Sequence, residues 1–174
     1  MTLTHRVVFV FIMIMQLSGQ DKILDVKHKD IDEQSAIIKS QTYDNVYWLC
    51  NDSGDKPFVF PVTELGEMIV PDFMKKRYLG DKIDNYPGIK IKNASLIDWE
   101  ALAVLKDTLV IADVGNNGNT RRDMGVYIIP EPNPRATYET RPLLWLPVRY
   151  EDQSKYPADE WEFDCESIFT FQGK

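Results

Sequence analysis

The sequence predicts an all-β fold that forms part of a β-propeller, and three features support this prediction. Short runs of β-branched and aromatic residues alternate with clusters of Gly, Asn, Asp and Pro, which is typical of strands joined by turns. No run shows a convincing helical period. An Asp-x-Gly motif follows an apolar run at Asp52 and again, about 60 residues later, at Asp113. Repeats of this length built from short strands indicate propeller blades, which bury both sheet faces only when they stack.

The two Asp-x-Gly motifs are expected to be turns between strands. Both are rich in residues that favour turns. A carboxylate beside a turn glycine commonly accepts hydrogen bonds from nearby backbone amides. We therefore expect the role of Asp52 and Asp113 to be mainly structural.

The first 19 residues have the order of a secretory signal peptide. A basic residue, Arg6, precedes an unbroken apolar run at residues 7–15, and small or polar residues follow up to Gly19. The run is too short to cross a bilayer as a permanent helix. We therefore expect cleavage near Gly19 and a secreted, partial propeller domain, residues 20–174, without a membrane span. The alternative is an uncleaved anchor.

The first repeat spans about residues 35–92. Its predicted strands are residues 35–38, 46–50 and 58–62. Because Pro61 removes a backbone donor, the third of these strands is expected at a sheet edge. Residues 71–79 are expected to form a short helix. The alternating residues 89–92 are predicted to be the outermost strand of this blade.

The second repeat spans about residues 93–160, and a third begins at residues 161–174. When the repeats are matched on the Asp-x-Gly motif, Ile111 becomes the counterpart of Cys50. Further strands are predicted at residues 101–105, 109–112, 125–130 and 143–150. The sequence stops inside the third repeat, so we expect an N-terminal fragment of about two to two and a half blades of a longer propeller.

Charge and residue types exclude several classes of function. The chain of 174 residues has a formal net charge of −7, so it lacks the basic face that nucleic acids or anionic membranes require. Beyond the signal peptide it has one histidine, His28, which we expect at the surface. A zinc ligand set and a Ser-His-Asp triad are therefore not expected. Residues 113–119 lack the lysine of a phosphate-binding loop.

Carboxylates are the side chains that remain for chemistry. Asp98 and Glu100 are two residues apart on a predicted strand and so face the same side, and Asp164 and Glu166 repeat this pattern. Innermost strands line the central channel of a propeller, so these four carboxylates are expected to gather there. Crowded oxygen ligands favour a hard cation, Ca²⁺ first. Without a cation, some of their pKa values would rise into the range of general acid–base catalysis.

The motif at residues 111–117, Ile-Ala-Asp-Val-Gly-Asn-Asn after an apolar strand, resembles the repeat hallmark of NHL-repeat, gluconolactonase-like and paraoxonase-like six-bladed propellers. For the lactonase and paraoxonase types, the resemblance implies a calcium ion at one mouth of the channel, held by acidic and amide side chains. On this sequence it implies Glu100, Asp113, Asn116 and Glu166 as ligands. Those relatives often use histidine as well, and this chain contains two histidines in all.

These features predict a secreted binding scaffold for a small molecule or a protein, with a divalent cation in its channel. One alternative is a Ca²⁺-dependent hydrolase of lactones, esters or phosphoesters, in which the metal polarises a carbonyl or phosphoryl oxygen. Another is a truncated fragment without function, because its sheet edges would stay open. The candidate metal ligands are Asp98, Glu100, Asp113, Asn116, Asp164 and Glu166.

Export would also permit a disulfide and, in a eukaryotic host, N-linked glycans. Cys50 and Cys165 both lie in strand-like patterns, which favours two buried free thiols over one bridge. Two acceptor motifs for N-glycosylation are present, Asn51-Asp52-Ser53 and Asn93-Ala94-Ser95. The second lies in a polar loop, so a glycan is expected at Asn93, whereas Asn51 is expected to serve its turn.

Overall fold

The computed structural model describes residues 25–26, 28–54, 56–75 and 85–171. The predicted signal peptide, residues 1–19, lies outside these ranges. Within them the chain forms short strands and a single helical turn, so the predicted all-β fold class is confirmed. No helix in the described ranges is long and apolar enough to cross a membrane.

The predicted strands are present with small differences at their ends. The elements are β1 (Gln34–Lys39), β2 (Tyr47–Asn51), β3 (Phe58–Val62), α1 (Asp72–Met74), β4 (Ile89–Ile91), β5 (Trp99–Leu105), β6 (Thr108–Asp113), β7 (Gly125–Pro130), β8 (Glu139–Thr140) and β9 (Leu144–Pro147). The described part of the predicted helix is one turn. The pattern of the sequence does not predict β8, which is only two residues long.

The strands form two sheets that follow each other along the chain. The first has the order β1-β2-β3-β4-β8 and the second the order β5-β6-β7-β9. Each contains four antiparallel strands, and β8 adds to the first sheet in parallel with β4. Lys90 N donates to Tyr138 O (3.1 Å) and Lys92 N to Thr140 O (2.8 Å). The connection from β7 to β9 therefore covers the outer edge of the first sheet.

Pro61 lies in a central strand, so its predicted edge position is wrong. β3 has β2 on one side and β4 on the other, yet β4 pairs only with Phe58 and Val59. At Pro61 the second side is occupied by the segment after β3, where Ile69 N donates to the Pro61 carbonyl (2.8 Å). The N–H and C=O positions of one residue lie on the same side of a strand. The missing donor of Pro61 therefore faces this segment, and pairing with β2 is kept.

The two sheets share a register irregularity that corrects the alignment of the repeats. A register shift occurs just before Ala36 in β1 and just before Ala101 in β5. Ala36 then lies opposite Cys50, and Ala101 opposite Ala112. The counterpart of Cys50 is therefore Ala112 and not Ile111. The motif-based alignment is displaced by one residue, which in a strand moves a side chain to the other face of the sheet.

The main core lies between the two sheets. β5 packs against β1 and β2, and the indoles of Trp48 and Trp99 are fully buried there. Removal of such large aromatic side chains from water stabilises the packed pair of sheets. At the end of β7, the carboxylate of Glu131 accepts hydrogen bonds from Trp48 Nε1, Ser40 Oγ and Thr42 Oγ1. This buried carboxylate joins the second sheet to the β1–β2 hairpin of the first.

A smaller apolar cluster lies on the other face of the second sheet. There Cys165 and Ile168, from the segment after β9, pack against Ala101, Ala112 and Val114. Cys50 is buried in the main core instead, and the two cysteines are free thiols. The expectation of free thiols is therefore confirmed, but Cys165 is only partly buried.

His28 lies just before the first sheet, and its side chain is only 5% exposed. Its predicted surface position is therefore wrong. Asp30 N donates to His28 Nδ1 (3.3 Å), and the Asp30 carboxylate lies 4.0 Å from the same nitrogen. This local turn supplies Nδ1 with a partner from within two residues, whereas the buried Nε2 has no hydrogen-bond partner among the described residues.

Candidate functional site

Three carboxylates from two sheets converge at the start of β5. Oxygen atoms of Asp52, Asp98 and Glu100 lie within 4.8 Å of one another, and we call these three residues the acid cluster. Asp52 follows β2 of the first sheet, Asp98 precedes β5, and Glu100 lies in β5. The sequence predicts Asp98 and Glu100 on one face, and the structure brings their oxygens together and adds Asp52.

The turn after β6 positions the members of the acid cluster that belong to the second sheet. The register shift at the start of β5 falls at Glu100, and a bulge of this kind redirects the side chain of the extra residue. Asp98 is held at two points: its N–H donates to Asp113 Oδ1 (3.0 Å), and its carbonyl accepts the Gly115 amide (3.1 Å). The backbone that enters β5 is therefore fixed by the residues that leave β6.

Asp52 combines the predicted turn role with a place in the acid cluster. Its Oδ1 accepts the Ser53 amide (2.6 Å), and its own N–H donates to the Glu33 carbonyl (2.8 Å). The same carboxyl lies within 4.8 Å of the Asp98 carboxyl of the next sheet and raises its pKa. The sequence predicts the first role but not the second, because the contact with Asp98 depends on how the sheets pack.

Gly115 forms one wall of the acid cluster. A Cβ atom at this position would lie 2.4 Å from Asp98 Oδ2 and 2.4 Å from Glu100 Oε1. Gly115 is not among the glycines with positive φ, whereas Gly54 of the first Asp-x-Gly motif has φ +79° and open space around it. Gly54 therefore serves its turn, and Gly115 is required because the carboxylates approach its bare backbone.

Asp113 and Asn116 lie behind the cluster and hold its backbone. Both are 1% exposed. Asp113 accepts the Asp98 amide, as described above, and forms an ion pair with Arg121 Nη2 (2.9 Å). Asn116 Nδ2 donates to the Phe163 carbonyl (2.8 Å), and its Oδ1 accepts the Arg121 amide (2.8 Å). These two predicted ligands thus use the named atoms to organise the turn, and the carboxylate of Asp113 is not among the three that converge.

Asp164 and Glu166 bring the start of the third repeat to the same site. Asp164 Oδ1 accepts the Asn116 amide (2.6 Å). The negative charge of the exposed Glu166 raises the pKa of Glu100. The structure therefore places both residues beside the acid cluster. Of the two, Glu166 could add a fourth carboxylate to it.

Burial and mutual repulsion change the proton affinity of these carboxyls. The pKa of Glu100, which is 8% exposed, is raised to about 8, first by burial and then by the negative charges of Glu166, Asp52 and Asp98. The pKa of Asp98 is raised to about 6, first by burial and then by the hydrogen bond and charge of Asp52. In the absence of a cation, Glu100 therefore keeps its proton at pH 7.

Arg121 supplies positive charge next to the cluster. Its side chain is 12% exposed, and its Nη1 donates to the Gly115 carbonyl (2.7 Å). Its charge opposes the other influences on Asp98 and lowers the pKa of that carboxyl. Because Arg121 also forms an ion pair with Asp113, its main effect is to hold the turn against the acid cluster. Its positive charge is not among the main influences on the pKa of Glu100.

The acid cluster fits a hard divalent cation. Two oxygens bound to one Ca²⁺ ion at about 2.4 Å are at most about 4.8 Å apart, and the three side chains meet this limit. All their donor atoms are oxygens, which favours Ca²⁺ or Mg²⁺ over zinc and the transition metals. The bare backbone of Gly115 leaves room that a side chain would fill.

Comparisons with protein-family models, with curated proteins and with solved structures gave no match to this chain. The resemblance to NHL-repeat and lactonase-like propellers therefore depends on the motif at residues 111–117 alone. The features of this chain that bear on its function are the acid cluster and the repeated sheets around it.

Proposed function

We propose that the chain is part of a β-propeller whose acid cluster binds Ca²⁺, and that the protein is a secreted binding scaffold. The repeated sheets support the propeller. Each has four antiparallel strands in chain order and a register shift at the same place. Their apolar faces pack on each other, and the start of a third repeat packs on the next face. Stacked units of this kind are how propeller blades bury both faces.

The single observation that carries the metal proposal is the convergence of the acid cluster on Gly115. Like charges in a partly buried site are unfavourable unless a proton or a cation compensates them. Without a cation, protons compensate the charges, which is why the pKa values of Glu100 and Asp98 are raised. A Ca²⁺ ion would displace the protons and bind the same oxygens.

The number of protein ligands indicates a cation that also binds something else. Ca²⁺ takes about six to eight oxygen ligands. Asp52, Asp98 and Glu100 provide three carboxylates, and Glu166 adjoins them. The remaining positions would be filled by water or by oxygen atoms of a bound ligand, a small molecule or a protein. The binding scaffold is therefore the function that the geometry supports best.

Thermal unfolding of the full chain tests the metal proposal. At pH 8, Ca²⁺ at about 100 times its Kd is expected to stabilise the chain by about 2.7 kcal/mol over the same protein in EDTA. For a chain of this size, that corresponds to a rise in Tm of about 5–10 °C. Glu64→Gln, which removes an exposed acid outside the cluster, is expected to keep the full rise. An unchanged Tm at millimolar Ca²⁺ would count against the proposal.

A Ca²⁺-dependent hydrolase is the second candidate, and one observation favours it. The exposed carboxylate of Glu166 adjoins Glu100 without being one of the three converging ligands, so it could exchange a proton with a bound substrate. A bound cation would supply polarisation of a carbonyl or phosphoryl oxygen. The acid cluster would in this case position the cation, with Glu166 beside the reacting group.

Activity measurements on the Gln variants separate the hydrolase from the scaffold. If lactone, ester or phosphoester hydrolysis depends on this site, Glu166→Gln is expected to lower kcat by about 100-fold or more, the usual loss for a general acid or base, and Glu100→Gln to abolish the dependence on Ca²⁺. Glu64→Gln should leave the rate as it is. Hydrolysis that survives both Glu100→Gln and Glu166→Gln would show that the reacting groups lie elsewhere.

A further inference from the structure

We infer that Asn93 is the attachment site of an N-linked glycan. Asn93 lies in the tight turn that follows β4, with φ +59°, and the motif Asn93-Ala94-Ser95 is intact. Both Asn93 and Ser95 are exposed. Among the residues that the structure describes, the Asn93 side chain makes no hydrogen bond, so its amide nitrogen is accessible. This inference does not depend on the acid cluster or on a bound cation.

The turn is held firmly while its acceptor side chains face outward. Ser95 N donates to Tyr127 Oη (3.0 Å), and the Ser95 carbonyl accepts a hydrogen bond from Trp99 Nε1 (3.0 Å). Both aromatic residues belong to the second sheet and are buried. A glycan on Asn93 would therefore leave the contacts that hold the turn unchanged.

The other acceptor motif has the opposite environment. Asn51 is the last residue of β2 and is 1% exposed. Its Nδ2 donates to the Asp30 carbonyl (2.9 Å) and to Asp32 Oδ1 (3.3 Å). That nitrogen is the atom to which a sugar would be joined. A glycan at Asn51 would break these bonds and displace the segment before β1, so the fold selects Asn93 of the two.

The chemistry requires an activated sugar donor of the secretory pathway, a polyprenyl diphosphate-linked oligosaccharide. A bond forms between Asn93 Nδ2 and the anomeric carbon of the first sugar. The bond from that carbon to the diphosphate oxygen breaks, and the diphosphate leaves with its electron pair. Nδ2 loses one proton to solvent. The Ser95 hydroxyl completes the acceptor motif that the transferring enzyme recognises.

Translation of the full chain in the presence of microsomes tests the inference. One mobility shift is expected that a glycan-removing amidase reverses, with conversion of Asn93 to Asp. Ser95→Ala and Asn93→Gln are each expected to abolish the shift. Ser53→Ala, which destroys the other motif and leaves Asn51 in place, is expected to retain it. Ser53→Ala and Ser95→Ala change exposed side chains and leave the hydrogen bonds of Asn51 in place, so the chain keeps the fold that buries Asn51.

A second arm separates export from glycosylation. In it, residues 1–19 are replaced by a leader of proven strength, and the same three variants are compared. A shift that disappears with Ser53→Ala would overturn the assignment to Asn93. So would a chain that is protected from added protease inside the microsomes and yet carries no glycan.

Discussion

Glu100→Gln is expected to stabilise the cation-free chain at pH 8.5 and, at the same time, to abolish its stabilisation by Ca²⁺. Burial and the charges of Glu166, Asp52 and Asp98 raise the pKa of Glu100 to about 8. Above this pH, Glu100 is a buried carboxylate that its negatively charged neighbours repel. Gln has nearly the same shape as Glu and carries no charge. We expect a gain of about 1–3 kcal/mol in the free energy of unfolding in EDTA.

The sign of the pH dependence distinguishes this effect from a general change in packing. The folded pKa of Glu100 lies above its ordinary value of 4.5. Between these two values the native state binds more protons than the unfolded state, so the free energy of unfolding falls as pH rises towards about 8. Glu100→Gln lacks this part of the decline. The two proteins should therefore differ little at pH 4.5 and most above pH 8.

Denaturant unfolding at pH 4.5, 7 and 8.5 in EDTA, and again with Ca²⁺, measures both effects. Glu64→Gln is the matched control, since it removes an exposed charge and should change neither the pH slope nor the response to Ca²⁺. Asp98, whose pKa is raised to about 6, makes the free energy of unfolding fall with rising pH at lower pH values, and it does so equally in wild type and variant. A Gln variant that is less stable than wild type at pH 8.5 in EDTA would contradict the assignment. A full response to Ca²⁺ in that variant would contradict it as well.

The strands could be predicted from the sequence because their signals are local. β5 and β6 are apolar runs separated by turn residues, and the two-residue spacing of Asp98 and Glu100 places both on one side. β8 could not be predicted in this way. It consists of two residues without an apolar pattern, and it exists because the connection after β7 reaches the edge strand β4.

Asp52 shows why one of the three residues of the acid cluster is harder to predict. Matching the Asp-x-Gly motifs aligns Asp52 with Asp113, but the strand register aligns Asn51 with Asp113, since they lie opposite Gln34 and Trp99. Asp52 is then one residue further along and faces the other way. Its meeting with Asp98 depends on the packing of two sheets, for which a single sequence carries no direct signal.

The two motif glycines are indistinguishable in the sequence, and the structure assigns them different physical roles. Gly54 has a left-handed backbone, which a residue with Cβ adopts at a cost. Gly115 has no such backbone and is required for space beside Asp98 and Glu100. Only the arrangement of neighbouring side chains separates these two reasons for glycine, so only the folded chain points to Gly115 as part of the site.

Gly115→Ala is therefore expected to remove cation binding while the fold survives. The new methyl group would lie 2.4 Å from Asp98 Cγ and from Glu100 Oε1. The backbone of Gly115 cannot withdraw easily, because its N–H donates to the Asp98 carbonyl (3.1 Å) and its carbonyl accepts Arg121 Nη1 (2.7 Å). The two carboxylates are ends of side chains and can move instead. We expect a loss of about 1–3 kcal/mol in stability and no rise in Tm with Ca²⁺.

Gly54→Ala is the matched control, because it tests the same substitution in the same motif. There the methyl group meets open space, and the cost comes from φ +79° alone, about 1–2 kcal/mol. The loss of stability should thus be similar for the two variants, but Gly54→Ala should keep the full response to Ca²⁺. Melting of both variants with EDTA and with Ca²⁺ separates a damaged turn from a damaged site. If Gly115→Ala retained the wild-type response, the cation would have to bind away from the positions that the Asp98 and Glu100 carboxylates occupy in this structure, because the methyl group displaces both of them.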